Sequence, residues 1–149
     1  MSKESLEKIE KLDLKGKTVS IFYDLMGGSI MIPPMEWWYF NTIVFDYMGM
    51  EQTEAAKNLT FESMFTPISN EKIREFEGDI VIYADIAAVN GKPAIPEVIQ
   101  TNPGWMVLKA VQANKVGVID AGMYADKDVL YLADQYSQLL TAFKKASGK

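Results

Sequence analysis

The 149-residue sequence contains no cysteine and no histidine, and Arg74 is its only arginine beside 14 lysines. Without cysteine, the chain can form no disulfide, no thiolate nucleophile and no cysteine-ligated zinc site. Without histidine, it can form no Ser-His-Asp triad. The formal net charge of -5, the sequence pI near 4.8 and the scattered lysines argue against a nucleic-acid surface. We therefore expect no nucleic-acid partner, and few classes of catalyst remain.

Long apolar runs are also missing. No run approaches the roughly 18 apolar residues that a membrane-spanning helix needs, and the first residues, MSKESLEKIEKL, lack the apolar region of a signal peptide. With 48% hydrophobic and 23% charged residues, the composition is that of a folded protein with one core. We expect a single globular domain.

Residues 101–120, TNPGWMVLKAVQANKVGVID, are the stretch around which the chain is organised. They predict an Asn-Pro turn, a short helix carrying Trp105 and Leu108, and then a strand at residues 116–119 that ends on Asp120. Because this strand is apolar on both faces, it needs cover above and below. It therefore belongs in the middle of a parallel sheet between helices.

Two further strands fit the same sheet. Residues 17–24 alternate Val19, Ile21 and Tyr23 with their neighbours, and residues 80–83 form an apolar run that leads to Asp85. Helices are predicted at residues 2–14, 37–48, 93–100 and 126–145, with a two-turn helix after an N-cap at Ser69 and a loop with a helical turn at residues 51–59. The predicted fold is an α/β, three-layer, Rossmann-like lobe whose mainly parallel central sheet is flanked by helices.

The loops that follow the three strands should meet at the carboxyl edge of this sheet, where open α/β folds bind ligands. Asp24, Asp85 and Asp120 stand at these strand ends. They could hold a divalent metal, as in a small Rossmann-like or receiver-like enzyme or signalling domain. Alternatively, each aspartate caps the turn that follows its own strand.

Trp37 and Trp38 open the helix that follows the first of these loops. Adjacent helical residues point about 100° apart, so the two indoles cannot share one core face. At least one of them faces solvent or a ligand, or packs on the edge of the core.

From residue 7 onward the chain resembles the C-terminal lobe of the siderophore-type solute-binding proteins of ATP-binding-cassette importers, which serve ferric hydroxamates, other iron complexes and cobalamin. The resemblance is carried by the GKxV strand at 16–23, DYMG at 46–49, ISxE at 68–71, the GD element at 78–80, NPxWxxLxAV at 102–111 and LxxADQ at 130–135. It implies two α/β lobes joined by one long helix, with the ligand clamped between them. Residues 1–14 would be the tail of that helix and residues 15–149 the ligand-binding lobe, while the N-terminal lobe, signal peptide and lipid-anchor cysteine are missing.

The resemblance further implies a transport protein rather than an enzyme. It implies a ferric siderophore as ligand, no cofactor beyond the iron inside that chelate, the importer permease as partner, and an extracytoplasmic location as a lipoprotein or periplasmic protein. Tyr39 stands where several members have an arginine that bonds the siderophore oxygens. With Arg74 the only guanidinium, a neutral hydroxamate complex is favoured over a tri-anionic catecholate.

Two groups of site residues follow from the resemblance and from the predicted loops. An aromatic and sulfur-bearing surface at the carboxyl edge would suit the apolar flank of an iron chelate. The predicted ligand-binding residues are Tyr23, Trp37, Trp38, Tyr39, Asp85, Met123 and Tyr124. Glu71 matches the carboxylate that the family offers to arginines of the importer, although an exposed acid in a first helical turn is also favourable without any partner.

Overall fold

A parallel sheet lies at the centre of the molecule. The computed structural model describes residues 3–24, 28–33, 42–59, 67–86, 88, 92–121 and 132–149. Within these residues the sheet has four strands, β1 (Thr18–Tyr23), β2 (Glu51–Gln52), β3 (Ile80–Asp85) and β4 (Val116–Asp120). Their order is β2-β1-β3-β4, and each neighbouring pair is parallel. The predicted α/β fold with a parallel sheet is confirmed.

The helices of the described part lie on both sides of the sheet. They are α1 (Lys3–Glu10), a π-helix (Thr42–Tyr47), α2 (Glu54–Lys57), a 3-10 helix (Ile73–Phe76), α3 (Glu97–Gln100), α4 (Pro103–Met106), α5 (Lys109–Gln112) and α6 (Leu132–Ser147). None of the helices in these residues is long and apolar enough to cross a membrane.

Side chains on the two faces of the sheet form two separate cores, because successive residues of a strand point to opposite faces. On one face, Val19, Ile21 and Tyr23 of β1 pack with residues of α1, the π-helix and α6. On the other face, Phe22 and Tyr83 pack around Trp105 of α4. Both cores are buried, so the sheet has the cover above and below that its apolar strands require.

Several local predictions were wrong at the ends of elements. β2 was predicted as loop, because its two residues are polar and carry no apolar alternation. The helix expected from residue 93 begins at Glu97, since Pro96 has an extended conformation at the N-cap position. The helix expected after Ser69 is a 3-10 helix that begins at Ile73, preceded by a turn at residues 70–72.

Helix α1 is attached to the lobe by its carboxyl end. Ile9 and Leu12, two residues of the predicted apolar stripe, are each 4% exposed and belong to the core of the α6 face. The ammonium group of Lys149 donates a hydrogen bond of 2.6 Å to the carbonyl oxygen of Leu12. The first residues are therefore packed against the end of α6, and their role as the tail of a connecting helix stays a prediction.

Candidate functional site

The three strand-end aspartates lie side by side at the carboxyl edge of the sheet. Tyr23 of β1 pairs with Ala84 of β3, and Asp85 pairs with Asp120 of β4. Asp24 follows Tyr23 directly, so the sheet register places it beside Asp85. We call these three residues the aspartate row. Within the described residues no group of three or more acidic side chains is arranged to hold a metal ion.

Two members of the aspartate row organise the loops that follow their own strands. The backbone N–H of Gly28 donates to Asp24 Oδ2 at 3.2 Å, and that of Ala94 donates to Asp85 Oδ2 at 3.0 Å. The N–H of Asp120 donates to Gln138 Oε1 at 2.8 Å, which joins the end of β4 to α6. Asp24 and Asp85 therefore act as turn caps, which is one of the two roles that the sequence left open.

The second carboxylate oxygen of Asp24 differs from the first in its hydrogen bonding. Its Oδ1 atom is buried and has no hydrogen-bond partner in the part of the chain that the structure describes. A buried carboxylate oxygen without a donor is costly, because it has lost water and gained nothing in return.

Two buried tyrosines lie next to the aspartate row. Burial raises the pKa of Tyr83, and the negative charges of Asp24 and Asp85 raise it further. Burial alone raises the pKa of Tyr23 to about 12. Both side chains are therefore neutral phenols at neutral pH.

The structure places the predicted ligand residues Tyr23 and Asp85 beneath the carboxyl edge. They are 0% and 6% exposed. Asp85 holds the loop that follows β3, and Tyr23 forms an antiparallel bridge with Met31, with N···O distances of 3.0 and 2.9 Å. Both positions support the loops of this edge, and direct contact of either residue with a ligand stays a prediction.

An aromatic cluster supports the aspartate row from below. The ring of Trp105 contacts Phe22 and Tyr83 edge to face, with centroid distances of 5.8 and 5.7 Å and interplanar angles of 85° and 79°. Trp105 is 1% exposed. Edge-to-face pairs of this kind add stability beyond the buried area, because ring edges are positive and ring faces negative.

Asn102 connects three segments near this edge. Its Oδ1 accepts hydrogen bonds from the N–H groups of Gly104 and Trp105, at 2.8 and 3.4 Å, and so caps α4. Its Nδ2 donates to the carbonyl of Gly28 at 3.2 Å and to Asn70 Oδ1 at 3.1 Å. Sequence reasoning identified the Asn-Pro turn but missed this role. The only available signal was that asparagine is a favoured N-cap.

Glu71 lies in the turn at residues 70–72, which we call the 70–72 turn. Its side chain is exposed, and no ion pair within the described residues engages it. Because the 3-10 helix begins only at Ile73, Glu71 precedes the helix instead of standing in its first turn. The helix dipole is therefore a weaker explanation for this acid than it was from the sequence.

The remaining predicted ligand residues lie outside the described residues. These are Trp37, Trp38, Tyr39, Met123 and Tyr124. Residue 122 comes directly after Ala121 at the carboxyl end of β4, so the chain enters the segment with Met123 and Tyr124 at the expected edge. Their contact with a ligand stays a prediction.

Comparison with known proteins gives a family and a set of similar structures. The family model described as periplasmic binding protein matches residues 3–122. Comparison with curated proteins finds no match. Among solved structures, FhuD from S. pseudintermedius is 21% identical with a TM-score of 0.69, and the match covers 98% of this chain and 50% of that chain.

Two similar structures contain a ligand according to their descriptions. FhuD2 from Staphylococcus aureus with bound ferrioxamine B is 22% identical, with a TM-score of 0.70, over 97% of this chain and 54% of that one. FeuA from Bacillus subtilis, described as a triscatecholate siderophore binding protein complexed with ferri-bacillibactin, is 22% identical, with a TM-score of 0.65, over 99% and 50%. The chain thus spans about half the length of these proteins and shares their fold over that half.

Proposed function

The chain belongs to the periplasmic binding protein family, and we propose that it is the C-terminal lobe of a solute-binding protein for ferric siderophores. The full protein would hand a complex of the hydroxamate type to the permease of an ATP-binding-cassette importer. The observation that carries this proposal is the match of 97% of this chain to 54% of a protein with bound ferrioxamine B. The proposed role is extracytoplasmic, as a lipoprotein or periplasmic protein.

The charges at the carboxyl edge favour a hydroxamate complex over a tri-anionic catecholate. The aspartate row places three carboxyl groups there, and the single guanidinium, that of Arg74, is on the 3-10 helix. A highly negative ligand would be repelled by these carboxylates. It would also find no arginine at these strand ends to form a bidentate pair with it. A neutral or positively charged iron complex avoids this cost.

The proposed lobe binds a ferric siderophore without catalysing a reaction, and the iron is transported inside the chelate. Asp24 and Asp85 cap the loops that follow their strands, and the buried tyrosines remain neutral, so binding would depend on shape and on aromatic contact. Trp37, Trp38, Tyr39, Met123 and Tyr124 are the proposed contact residues. A single lobe covers one side of the ligand, so we expect weaker binding than in a two-lobe protein.

Titration with ferrioxamine B tests the proposal. Binding would be measured by calorimetry and by tryptophan quenching, with free tryptophan as the control for light absorption by the iron complex. The iron-free chelator and a ferric tricatecholate are the matched ligands. We expect heat and quenching with ferrioxamine B and neither with the tricatecholate. Tighter binding of the tricatecholate would contradict the hydroxamate assignment, and dependence on magnesium or nucleotide would favour the receiver-like alternative.

Replacing Trp37 with alanine should weaken ferrioxamine binding by about 1–3 kcal/mol, roughly 5- to 150-fold, which is the range for losing an aromatic anchor. The melting temperature should change little if the indole stacks on the ligand. Tyr47→Ala is the matched control, because Tyr47 is an aromatic residue that is 52% exposed and is not one of the proposed contact residues. A large fall in melting temperature with unchanged affinity would show that Trp37 belongs to the core.

Replacing Glu71 with arginine should abolish uptake in a two-lobe protein that carries this lobe, while ligand affinity stays within a few-fold. An exposed charge at a docking surface governs the choice of partner more than folding. Glu75→Arg is the matched control, since Glu75 is also exposed and lies only four positions away. Equal loss of uptake in both variants, or loss of ligand affinity with Glu71→Arg, would remove Glu71 from the docking role.

A further inference from the structure

We infer that Asn102 is a positioning residue. It couples the carboxyl edge of the sheet, at Gly28, to the 70–72 turn, which carries Glu71. The inference rests on the proposed function, which assigns ligand binding to the carboxyl edge and importer docking to Glu71. The coupling itself rests on hydrogen bonds and close contacts within the described residues.

The hydrogen bonds form a continuous path. Asp24 Oδ2, at the end of β1, accepts the N–H of Gly28 at 3.2 Å. The carbonyl of Gly28 accepts Asn102 Nδ2 at 3.2 Å, and the same Nδ2 donates to Asn70 Oδ1 at 3.1 Å. Asn70 is the neighbour of Glu71 in the chain. One amide group therefore bonds both Gly28 and the 70–72 turn, beside a direct backbone link in which the N–H of Ile68 donates to the carbonyl of Ile30 at 2.9 Å.

Close packing makes this connection stiff on the α4 side. A methyl group added to Gly104 would lie 2.5 Å from the carbonyl oxygen of Asn70 and 2.7 Å from Ile73 Cδ1. The backbones of α4 and the 70–72 turn are therefore already in contact at Gly104. Asn102 is 8% exposed and its Oδ1 is fixed by the α4 N–H groups, so its amide cannot turn without losing the cap.

Gly28 also contacts α3. It has a φ of 85°, and a methyl group added to it would lie 2.7 Å from Val98 Cγ2. A shift of Gly28 is therefore passed to Asn102 through the hydrogen bond that the Gly28 carbonyl accepts. A ligand that displaces the chain near Asp24 would thus also displace the 70–72 turn. The importer would meet Glu71 in a position that depends on whether the lobe is loaded.

The test replaces Asn102 with serine, which keeps a good N-cap oxygen for α4 but is too short to reach Gly28 or Asn70. The first arm needs no ligand and uses amide NMR spectra of the chain. We expect Asn70→Ala to shift the amide signals of Gly28 in the native background and to shift them much less in the Asn102→Ser background. The amides of Gly104 and Trp105 should stay protected from hydrogen exchange in both backgrounds, which shows that the cap is intact. Equal shifts at Gly28 in both backgrounds would overturn the coupling.

The second arm adds the diamagnetic gallium complex of desferrioxamine B. In the native chain, we expect the signals of both Gly28 and Glu71 to shift. In Asn102→Ser, the shift at Gly28 should persist and the shift at Glu71 should become much smaller, because the backbone hydrogen bond from Ile68 to Ile30 still joins the two segments. A Glu71 shift as large as in the native chain would overturn the inference. If the gallium complex shifts no signal in the native chain, the ligand assignment fails, and the first arm alone decides the role of Asn102.

Because a serine could disturb the cap, Asn102→Asp provides a second variant. Aspartate keeps the cap and the side-chain length, and its carboxylate can accept a hydrogen bond from a rotated Asn70 amide. It cannot donate to the Gly28 carbonyl. We therefore expect this variant to weaken the link between Gly28 and the 70–72 turn with α4 unchanged. A shift at Glu71 on addition of the gallium complex that matches the native chain would contradict the inference again.

Discussion

Replacing Gly117 with alanine should destabilise the lobe by at least about 2 kcal/mol, although alanine is better tolerated than glycine inside a strand. Gly117 lies in β4 where α6 crosses it. A methyl group there would overlap the carbonyl oxygen of Ala142 in α6 and lie 2.7 Å from Ile82 Cδ1. The carbonyl belongs to the backbone, so relief requires α6 to move away from the sheet. Urea unfolding followed by circular dichroism measures the loss.

The matched control is Gly16→Asn. Gly16 has a φ of 80°, and no atom lies within 4 Å of the position that a methyl group would take there. Asparagine accepts this backbone conformation more readily than other residues, so the larger side chain should change stability by less than about 1 kcal/mol. If Gly117→Ala were as mild as this control, α6 would not be seated against β4 as described.

The strands could be predicted because their burial leaves a direct mark on composition. β3 is buried at all six positions, and only β-branched and aromatic residues, with one alanine, precede its final Asp85. β1 alternates between two cores, which is why Val19 and Ile21 fall on one side and Phe22 on the other. A sheet covered on both faces imposes these patterns on the sequence, and they are local enough to read.

Elements defined by pairing or by hydrogen-bond geometry could not be predicted in the same way. β2 is a strand because Glu51 and Gln52 pair with Thr18 and Val19, and neither residue has strand character of its own. The π-helix at Thr42–Tyr47 was expected to be part of a longer α-helix, since its apolar residues fit that period as well. Such choices are made by tertiary contacts, which override weak local preferences.

The candidate site was predictable in position and less so in mechanism. Parallel strands end at one edge, so Asp24, Asp85 and Asp120 had to lie together there. The sequence could not decide whether they bind a metal ion or cap turns, because both roles use the same carboxylates. The role of Asn102 depends on two partners far away in sequence, and no local pattern encodes such a partner.

Replacing Trp105 with alanine should cost about 3–5 kcal/mol, the range for deleting a large buried aromatic side chain. Trp105 is 1% exposed and contacts the rings of Phe22 and Tyr83 on the sheet. It stands at the centre of the core on that face, between α4 and the strands that end in Asp24 and Asp85. A domain with a total stability of roughly 5–15 kcal/mol would lose much of it.

The neighbouring residue gives the control, because Met106 lies on the same short helix and is 52% exposed. Met106→Ala should change stability by less than about 0.5 kcal/mol, and Trp105→Phe should lose less than Trp105→Ala because it keeps an aromatic ring in the cluster. Urea midpoints of the three variants, with equal unfolding slopes, make the comparison. A Trp105→Ala loss no larger than that of Met106→Ala would mean that residues 101–120 do not organise this face of the lobe. The carboxyl edge would then need another support.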